Sequence, residues 1–490
     1  MQLRSLLLSA GFSKEAVAAV QDREINGISS DSRAVRRGEI FVAIRGLHCD
    51  GTQCIGEALS RGAALVISER PLQEPYALTV EDARGALACL WDAWYGHPTR
   101  NMRLIGITGT NGKTSTAAML CHILRECGYS CGLVGTVGNS LDGRSILVQG
   151  ADRLSNMTTP DPAQLYAILA QMRDGGAQYV VMEVTSHALV LSRVAPLRFY
   201  RGVFTNLTPD HLDLHGDMES YFAQKCRLFE KCEGGVISCF GPYGVRLADG
   251  LDMPLWRVDE QTVQTVSADD RSVDFEMTLP TGEKLSIHLP VAGKFSVENG
   301  ALAAFTAIGM GLEANEVKRA LSAFVGVRGR MERLETGEDF FVFLDYAHTP
   351  DALEKLLLTV RGFCARDGHI TVLFGCGGDR DRSKRPQMGA IASRLADLVI
   401  LTSDNCRSES PQDILRDIMK GIDKEKPYRV IEDRREAIRY AIATARPKDL
   451  IVLAGKGHEE YEIRGRERLY FSEREIVQEC LLERKKEGET

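Results

Sequence analysis

No apolar run in this 490-residue chain approaches the roughly 20 residues that a membrane-spanning helix needs. Basic charge is also lacking: the formal net charge of -7 supplies no positive field for a polyanion, which argues against nucleic acid as a partner. Thirteen cysteines are scattered without the paired spacing of a zinc site or the density of a small disulfide scaffold. Reduced thiols in a cytoplasmic protein are therefore expected, with Cys127 and Cys131 read as ordinary side chains. The opening MQLRSLLLSAGF is too short in consecutive apolar residues for a signal-peptide core. There is no tandem repeat, and the one biased segment is the charged tail ERKKEGET, read as a solvated end.

What is present is an ordinary globular balance, 44% apolar and 26% charged, enough to bury several cores. At roughly 100 to 200 residues per domain the length suggests about three domains. Short apolar runs such as EIFVAI and AALVIS, with the helical stretch IGEALSRGA, form a small α/β unit over residues 1–99, ending at the turn-rich GHPTRN. From 100 to 333, the strands RLIGIT, YVVMEV, RGVFTNL and GVISCF alternate with helical patterns, as in a doubly wound parallel sheet. SVDFEMTLPTGEKLSIHLPV instead alternates about a PTG turn and predicts a hairpin. The α/β alternation restarts over 334–490 with FFVFLD, HITVLFG, LVILT and LIVLAG.

The segment ITGTNGKTS follows a strand and opens a helix, the context of a phosphate loop. Gly109 and Gly112 free the backbone of Thr110, Asn111 and Ser115 to face phosphate, Lys113 reaches terminal phosphates, and Thr114 offers a magnesium ligand. The plain alternative is a glycine turn between strand and helix. The loop also leaves the acceptor open, because motors, transporters, kinases and ligases share it.

Two further groups lie at strand ends. YVVMEVTSH places Glu183, Ser186 and His187 beyond an apolar strand, where Glu183 is either a magnesium ligand or a surface glutamate. TNLTPDHLDLHGD then brings His211, Asp213 and His215 within five residues ahead of a helix carrying Lys225. Three such side chains after a strand favour a site. Lys225, taken alone, reads as a solvated helix lysine.

ITGTNGKTS, MEVTSHAL, TNLTPDHLDLHGD with YFAQK, GRMER, DYAHTPDAL, GGDRDRSKRP and AGKGHE, in this order, resemble the Mur ligases. SSDSRAVRRGEIFVAIRG resembles the family's UDP-binding N-terminal domain, so the likeness runs over almost the whole chain. It implies a three-domain fold: a small α/β UDP-sugar domain, a central parallel-sheet ATPase domain and a Rossmann-like α/β C-terminal domain. The implied reaction is ATP-dependent amide formation on UDP-N-acetylmuramoyl-L-alanyl-D-glutamate in peptidoglycan precursor synthesis, through an acyl phosphate. Two magnesium ions are implied, held by Thr114, Glu183, His211 and a carbamate that carbon dioxide forms on Lys225.

By the same resemblance Asn299 lies near adenine, Arg330 and Arg380 near the phosphates, and Asp345 on the ribose. Without the surrounding motifs Asp345 would read as a strand-end cap and Arg330 as a hinge charge. Ser30, Ser32, Thr158, Thr159, Ser186 and Arg193 match positions for the UDP-sugar. The chain departs from the family pattern at Met157 and Ser296, where asparagine is usual, at Leu191, where a polar residue is common, and in GLHCDGTQCI.

In family members that add meso-2,6-diaminopimelate, the loop corresponding to SDNCRSESP reads Asp-Asn-Pro-Arg; those that add lysine generally lack the arginine. Asp404, Asn405 and Arg407 keep that pattern, with Cys406 in place of proline. A guanidinium fork suits the extra distal carboxylate of diaminopimelate. Arg385, Gly455 and Glu459 match the other contacts, the glutamate suiting an ammonium. The plain reading of Arg407 is a loop arginine paired with Glu409. Competing functions are the same ligation with L-lysine, a silent nucleotide or UDP-sugar binder, the related folylpolyglutamate synthetases, and a phosphate-loop transport ATPase. A monomer that works by hinge closure is expected.

Overall fold

The computed structural model describes residues 1–46, 50–72, 74, 76–147 and 157–488, and groups the chain into two compact units. Leu47, His48 and Cys49 of the unusual GLHCDGTQCI loop lie outside the described residues. Unit 1 comprises residues 1–108, 129–202 and 224–234; unit 2 comprises 109–128, 203–223 and 235–490.

Unit 1 begins with a four-stranded parallel sheet, β1 (Gly27–Ser29), β2 (Glu39–Ala43), β3 (Leu65–Ser68) and β4 (Ala77–Thr79), in that order. Alternate residues serve opposite faces, as a pleated strand requires. Ile40, Val42, Leu65 and Ile67 join the core beneath helix Ala83–Trp94, whereas Phe41, Ala43 and Val66 pack with Ala58 on the other side. A second layer holds β5 (Arg103–Thr108), β6 (Cys131–Gly135), β7 (Gly138–Leu141), β8 (Arg144–Ser145) and β9 (Tyr179–Glu183). Their order is β5-β9-β6-β7-β8, parallel between β5, β9 and β6 and antiparallel beyond. β10 (Arg201–Phe204) crosses from unit 1 into unit 2.

Unit 2 carries the parallel pair β11 (Gly235–Ser238) and β12 (Leu255–Val258). An antiparallel sheet follows, formed by β13 (Val263–Ala268), β14 (Val273–Thr278) and β15 (Lys284–Leu289). The expected hairpin is β14–β15; β13 pairs beside it with a register shift between Thr265 and Ser267. Helix Phe295–Gly309, buried along most of its length, packs on helix Lys113–Glu126.

The last layer is a six-stranded sheet of β16 (Glu332–Leu334), β17 (Phe341–Asp345), β18 (Ile370–Phe374), β19 (Leu398–Leu401), β20 (Tyr428–Val430) and β21 (Leu450–Ala454), ordered β16-β17-β21-β18-β19-β20. Both faces are covered. Phe343, Val372, Phe374 and Val452 pack against helices Pro350–Phe363 and Lys384–Leu395, while Val342, Leu344, Leu373 and Leu453 pack against helices Arg434–Thr444 and Glu473–Gly488. That double burial explains why these strands read as continuous apolar runs. Helix Glu473–Gly488 extends into the charged tail, where Glu483, Lys485 and Lys486 are exposed, as a solvated end requires, and Arg484 donates to the Ala445 carbonyl at 2.8 Å. A small hairpin, β22 (Tyr461–Arg464) with β23 (Glu467–Tyr470), completes the unit.

None of the described cysteines forms a disulfide, and no described helix is long and apolar enough to cross a membrane.

Candidate active site

In unit 2 the phosphate loop is held open by geometry that only glycine accepts. Gly109 has φ +147°, and a Cβ there would lie 1.9 Å from Thr205 Oγ1. Gly112, at φ +85°, faces Asn299, whose Oδ1 would be 2.3 Å from an added Cβ. Gly112 caps helix Lys113–Glu126, so the first N–H groups of that helix point out of the loop without intrahelical partners. Lys113 Nζ folds back to the carbonyls of Gly109 (3.0 Å) and Thr110 (2.8 Å), a length that can swing to phosphate.

The loop is pinned on its far side. Thr205 Oγ1 donates to the Asn111 carbonyl at 2.6 Å, Asn206 Oδ1 accepts the Asn111 N–H at 2.9 Å, and Asn111 Nδ2 donates to Asp351 Oδ2 at 2.7 Å. Thr208 Oγ1 reaches the same Asp351 oxygen at 3.3 Å. Thr110 Oγ1 meets Tyr221 OH at 3.2 Å, while His215 stacks on the Tyr221 ring with centroids 4.8 Å apart. His215 therefore packs, whereas His211 and Asp213 of the same trio line the cleft.

Three expected nucleotide residues, Asn299, Arg330 and Asp345, lie here. Asn299 is buried and accepts from Thr116 Oγ1 at 3.3 Å. Arg330 donates to Thr114 Oγ1 at 3.1 Å, lies over the Tyr346 ring at 4.6 Å, and keeps a buried Nε without a protein partner. Asp345 ends β17 and accepts from the N–H groups of Met331 (2.7 Å) and Ala347 (2.8 Å). Burial, the largest influence, pushes its carboxyl above the ordinary range despite those bonds and the Arg330 charge. It anchors the GRMER loop and retains lone pairs for a further hydroxyl donor.

The neighbouring cleft is walled by His211 and Asp213 on one segment, Tyr346, His348 and Arg380 on others, and by Asp404, Asn405, Arg407, Gly455 and Glu459 at the ends of β19 and β21. These ends are where a parallel sheet presents ligand groups. Three non-glycine residues at the site hold left-handed backbone: His211 (φ 54°), Met331 (φ 46°) and Arg407 (φ 51°). Such conformations persist only where the surroundings fix them.

For Arg407 the fixing is visible. Its N–H donates to Ile463 O at 3.1 Å, and its carbonyl accepts from Gly465 N at 2.8 Å, so the loop adds itself to hairpin β22–β23. Nη1 donates to Gly378 O at 2.8 Å. Glu409, the partner of the plain reading, instead pairs with Arg385 and Arg382 and accepts from Asp379 N. Arg385 differs from its expected place: it is fully buried, bonded twice to Glu409 and once to Asp417, and is not among the cleft's lining residues. Its role in this structure is to hold the loop that follows Arg407. Cys406 is buried in the apolar core under the sheet, so packing and backbone bonds supply the stiffness that proline would give.

Asn405 Nδ2 donates to Glu459 Oε2 at 2.8 Å, and Tyr346 OH donates to Glu459 Oε1 at 3.3 Å. Burial raises the Glu459 carboxyl, and the nearby Asp404 charge raises it further. Burial acts the same way on Asp404, but the Lys456 and Arg434 charges outweigh it and leave Asp404 below the ordinary range. Gly455, at φ +109°, leaves space that a Cβ would lose, 2.8 Å from Asp404 Oδ2.

In unit 1 a second network surrounds Glu183 at the end of β9. Its buried carboxylate accepts from Thr136 N (2.8 Å) and Thr136 Oγ1 (3.0 Å), and Thr136 Oγ1 meets Thr158 Oγ1 at 3.0 Å. Thr159 Oγ1 donates to Glu183 O at 2.8 Å, and Arg193 Nη1 donates to Thr159 O at 2.7 Å while pairing with Asp161. Thr158, Thr159, Glu183 and Arg193 thus form one network, with buried Ser186 in the short helix after β9. Ser30 is exposed after β1, and Ser32 donates to Glu57 Oε2 at 2.7 Å. Lys225 is 1% exposed, which overturns the solvated-helix reading of that residue.

Among the described residues no group of three or more His, Cys, Asp and Glu side chains makes a metal cage. Taken separately, the Thr114 hydroxyl of unit 2 and the Glu183 carboxylate of unit 1 are oxygen donors of the kind that suits a hard cation keeping water and phosphate ligands, the habit of magnesium. Sequence reading missed Thr136, Asp351, Tyr346 and Lys456. Tyr346, Asp351 and Lys456 stand inside the motifs DYAHTPDAL and AGKGHE, but which partners they meet is a matter of long-range packing.

Three family models match the chain: a Mur ligase family catalytic domain over residues 24–87, a Mur ligase middle domain over 107–308, and a Mur ligase glutamate ligase domain over 329–457. The UDP-N-acetylmuramoyl-L-alanyl-D-glutamate--2,6-diaminopimelate ligase of Caldanaerobacter subterraneus subsp. tengcongensis is 42% identical over 473 residues, covering 94% of this chain and 96% of the relative. A solved structure of a ligase with the same name is 29% identical with a TM-score of 0.65, covering 94% of this chain and 96% of its own. A folylpolyglutamate synthase of Mycobacterium tuberculosis shares the fold at 20% identity, with a TM-score of 0.63 over 76% of this chain and 92% of its own.

Proposed function

The chain belongs to the Mur ligase family, and from that premise we propose that it is the ligase joining meso-2,6-diaminopimelate to the D-glutamate side-chain carboxylate of UDP-N-acetylmuramoyl-L-alanyl-D-glutamate at the expense of ATP. The observation that carries the diamino-acid choice is Arg407, fixed in left-handed backbone on the cleft wall beside Asn405 and Glu459. The same wall of the cleft offers a guanidinium and a carboxylate, which matches an amino acid carrying both a carboxylate and an ammonium at its far end.

The chemistry follows from the inertness of a carboxylate. Transfer of the γ-phosphoryl group from ATP to the D-glutamate oxygen gives an acyl phosphate and ADP. The neutral amine of diaminopimelate attacks the acyl carbon, the tetrahedral adduct collapses, phosphate leaves with the C–O bond electrons, and the amide loses its extra proton to solvent. Catalysis rests on placement and charge neutralisation. Lys113, Arg330 and Arg380 neutralise phosphate oxygens, Asn299 and Asp345 orient the nucleoside, and Thr158, Thr159, Ser186 and Arg193, with Ser30 and Ser32, hold the UDP-sugar dipeptide. Asp404, Asn405, Arg407, Gly455 and Glu459 receive diaminopimelate, with Arg385 bracing their loop through Glu409.

Magnesium, held by Thr114, Glu183, His211 and a carbamate on Lys225, would offset the repulsion between the two reacting anions. The burial of Lys225 supports that reading, because an ordinary helix lysine would keep its ammonium in water. Cytoplasmic precursor synthesis for the cell wall is part of the same proposal. The test is phosphate release by the purified protein with ATP, magnesium and the UDP-sugar dipeptide. Release that requires added diaminopimelate supports the ligase, and silence with every diamino acid tried overturns it in favour of a binder.

A further inference from the structure

Lys456 is wholly buried behind the cleft wall, in the loop after β21. It is not among the lining residues. Its Nζ donates to Tyr461 O at 2.7 Å and to Asn405 Oδ1 at 3.2 Å, and stands 3.9 Å from Asp404 Oδ1. The rings of Tyr461 and Phe471 lie 6.0 and 5.6 Å from it. Burying an ammonium is costly unless it is paired and hydrogen-bonded, so a methionine at this position would be the cheaper way to fill the same space. The lysine contributes direction, which an apolar side chain lacks.

That direction is read at Asn405. An amide can face either way in a pocket, since its oxygen and nitrogen are nearly the same size. Here the Lys456 ammonium and the Ile463 N–H (2.9 Å) both donate to Oδ1, which forces Nδ2 toward Glu459 Oε2 at 2.8 Å. Turning the amide over would set a donor against two donors and an oxygen against a carboxylate. The same ammonium opposes the Asp404 carboxylate from behind, keeping a negative charge at a buried point of the cleft wall.

We propose that Lys456 is a positioning residue for the diamino acid: it fixes the Asn405 amide and, through it, Glu459, so that the wall presents one arrangement of donor and acceptors to the incoming side chain. This rests on the ligase reading above. It assigns to Lys456 no contact with ATP, with the UDP-sugar or with the reacting atoms.

The experiment is steady-state kinetics of Lys456→Met, which keeps the volume and removes the donor, beside Lys456→Leu, Asn405→Ala and the Lys456→Met/Asn405→Ala pair. Wild-type protein is assayed first with diaminopimelate; failure there sinks the ligase reading and is recognised before any variant is made. With an active wild type, the expected result for Lys456→Met is a KM for diaminopimelate raised about tenfold or more. The KM for ATP and for the UDP-sugar dipeptide should stay within about twofold, because neither is touched. The double variant should be no worse than Asn405→Ala alone, since Lys456 acts through that amide. A diaminopimelate KM unchanged in Lys456→Met, a parallel rise in the KM for ATP, or multiplied losses in the double variant would each overturn the proposal. If Lys456→Met melts too low to assay, Lys456→Leu, which likewise lacks a donor, decides by the same KM split.

Discussion

Replacing Arg407 by alanine separates what its backbone does from what its guanidinium does. The backbone bonds to Ile463 and Gly465 survive in alanine, so the loop should keep its place on hairpin β22–β23. Within the protein the side chain makes one good hydrogen bond, Nη1 to Gly378 O at 2.8 Å, and a long one to Asn405 O at 3.4 Å. Their loss should cost about 1 kcal/mol of stability. The charge-assisted pair with a substrate carboxylate contributes more, about 2 kcal/mol after allowance for a half-exposed site. At about 1.4 kcal/mol per decade, kcat/KM for diaminopimelate should fall about 30-fold. Arg407→Lys, which keeps charge without the fork, should fall between wild type and alanine. Arg407→Gly should match alanine in kinetics yet melt higher, because φ of 51° strains every side chain except glycine. The assay is steady-state kinetics with diaminopimelate and with L-lysine, beside thermal melts of each variant. If Arg407→Ala retained diaminopimelate turnover within about threefold, or lost any lysine turnover in parallel, the specificity argument would be refuted.

Gly109→Ala should be severe, since its Cβ would meet Thr205 Oγ1, which is itself bonded to Asn111; ATP should cease to raise the melting temperature, and retention of that shift would contradict the loop geometry. Asn111→Ala and Asp351→Ala should couple by about 1 kcal/mol or more in a double-mutant cycle on kcat/KM for ATP, whereas additive effects would show that their 2.7 Å bond does not serve the phosphate loop. Glu459 gives a pH signature. Its folded carboxyl is raised, so the ionised form is a cost to folding above that raised value, and the cost disappears below the unfolded one. Glu459→Gln should therefore melt higher than wild type at neutral pH, lose that advantage as pH falls through the acidic range, and bind diaminopimelate more weakly. An advantage that grew on acidification would reverse the sign and the assignment.

How far the sequence spoke depends on which residues are asked. The phosphate loop was legible because its glycines, lysine and threonine are consecutive and their strand–helix context is local. The strands of the last sheet were legible as apolar runs, but their order was not, because burial on both faces erases the alternation that distinguishes neighbours. β13 was missed: its burial is slight and a register shift breaks its period after Thr265. Side-chain burial was the least legible property. Lys225, Arg385 and Lys456 look like surface cations in the sequence, and their buried places are set by partners elsewhere in the chain, Glu409 and Asp417 for Arg385, Asn405 and Tyr461 for Lys456. His215 and His211 are four residues apart and chemically alike, yet one stacks on Tyr221 and the other faces the cleft.

The measurement that tests the central claim most directly is a competition in one tube. Purified protein, ATP, magnesium and UDP-N-acetylmuramoyl-L-alanyl-D-glutamate are given equal concentrations of meso-diaminopimelate and L-lysine, and the products are weighed by mass spectrometry. The structure predicts the diaminopimelate product in large excess, with Arg407→Ala shrinking that excess. A product mixture dominated by lysine would contradict it.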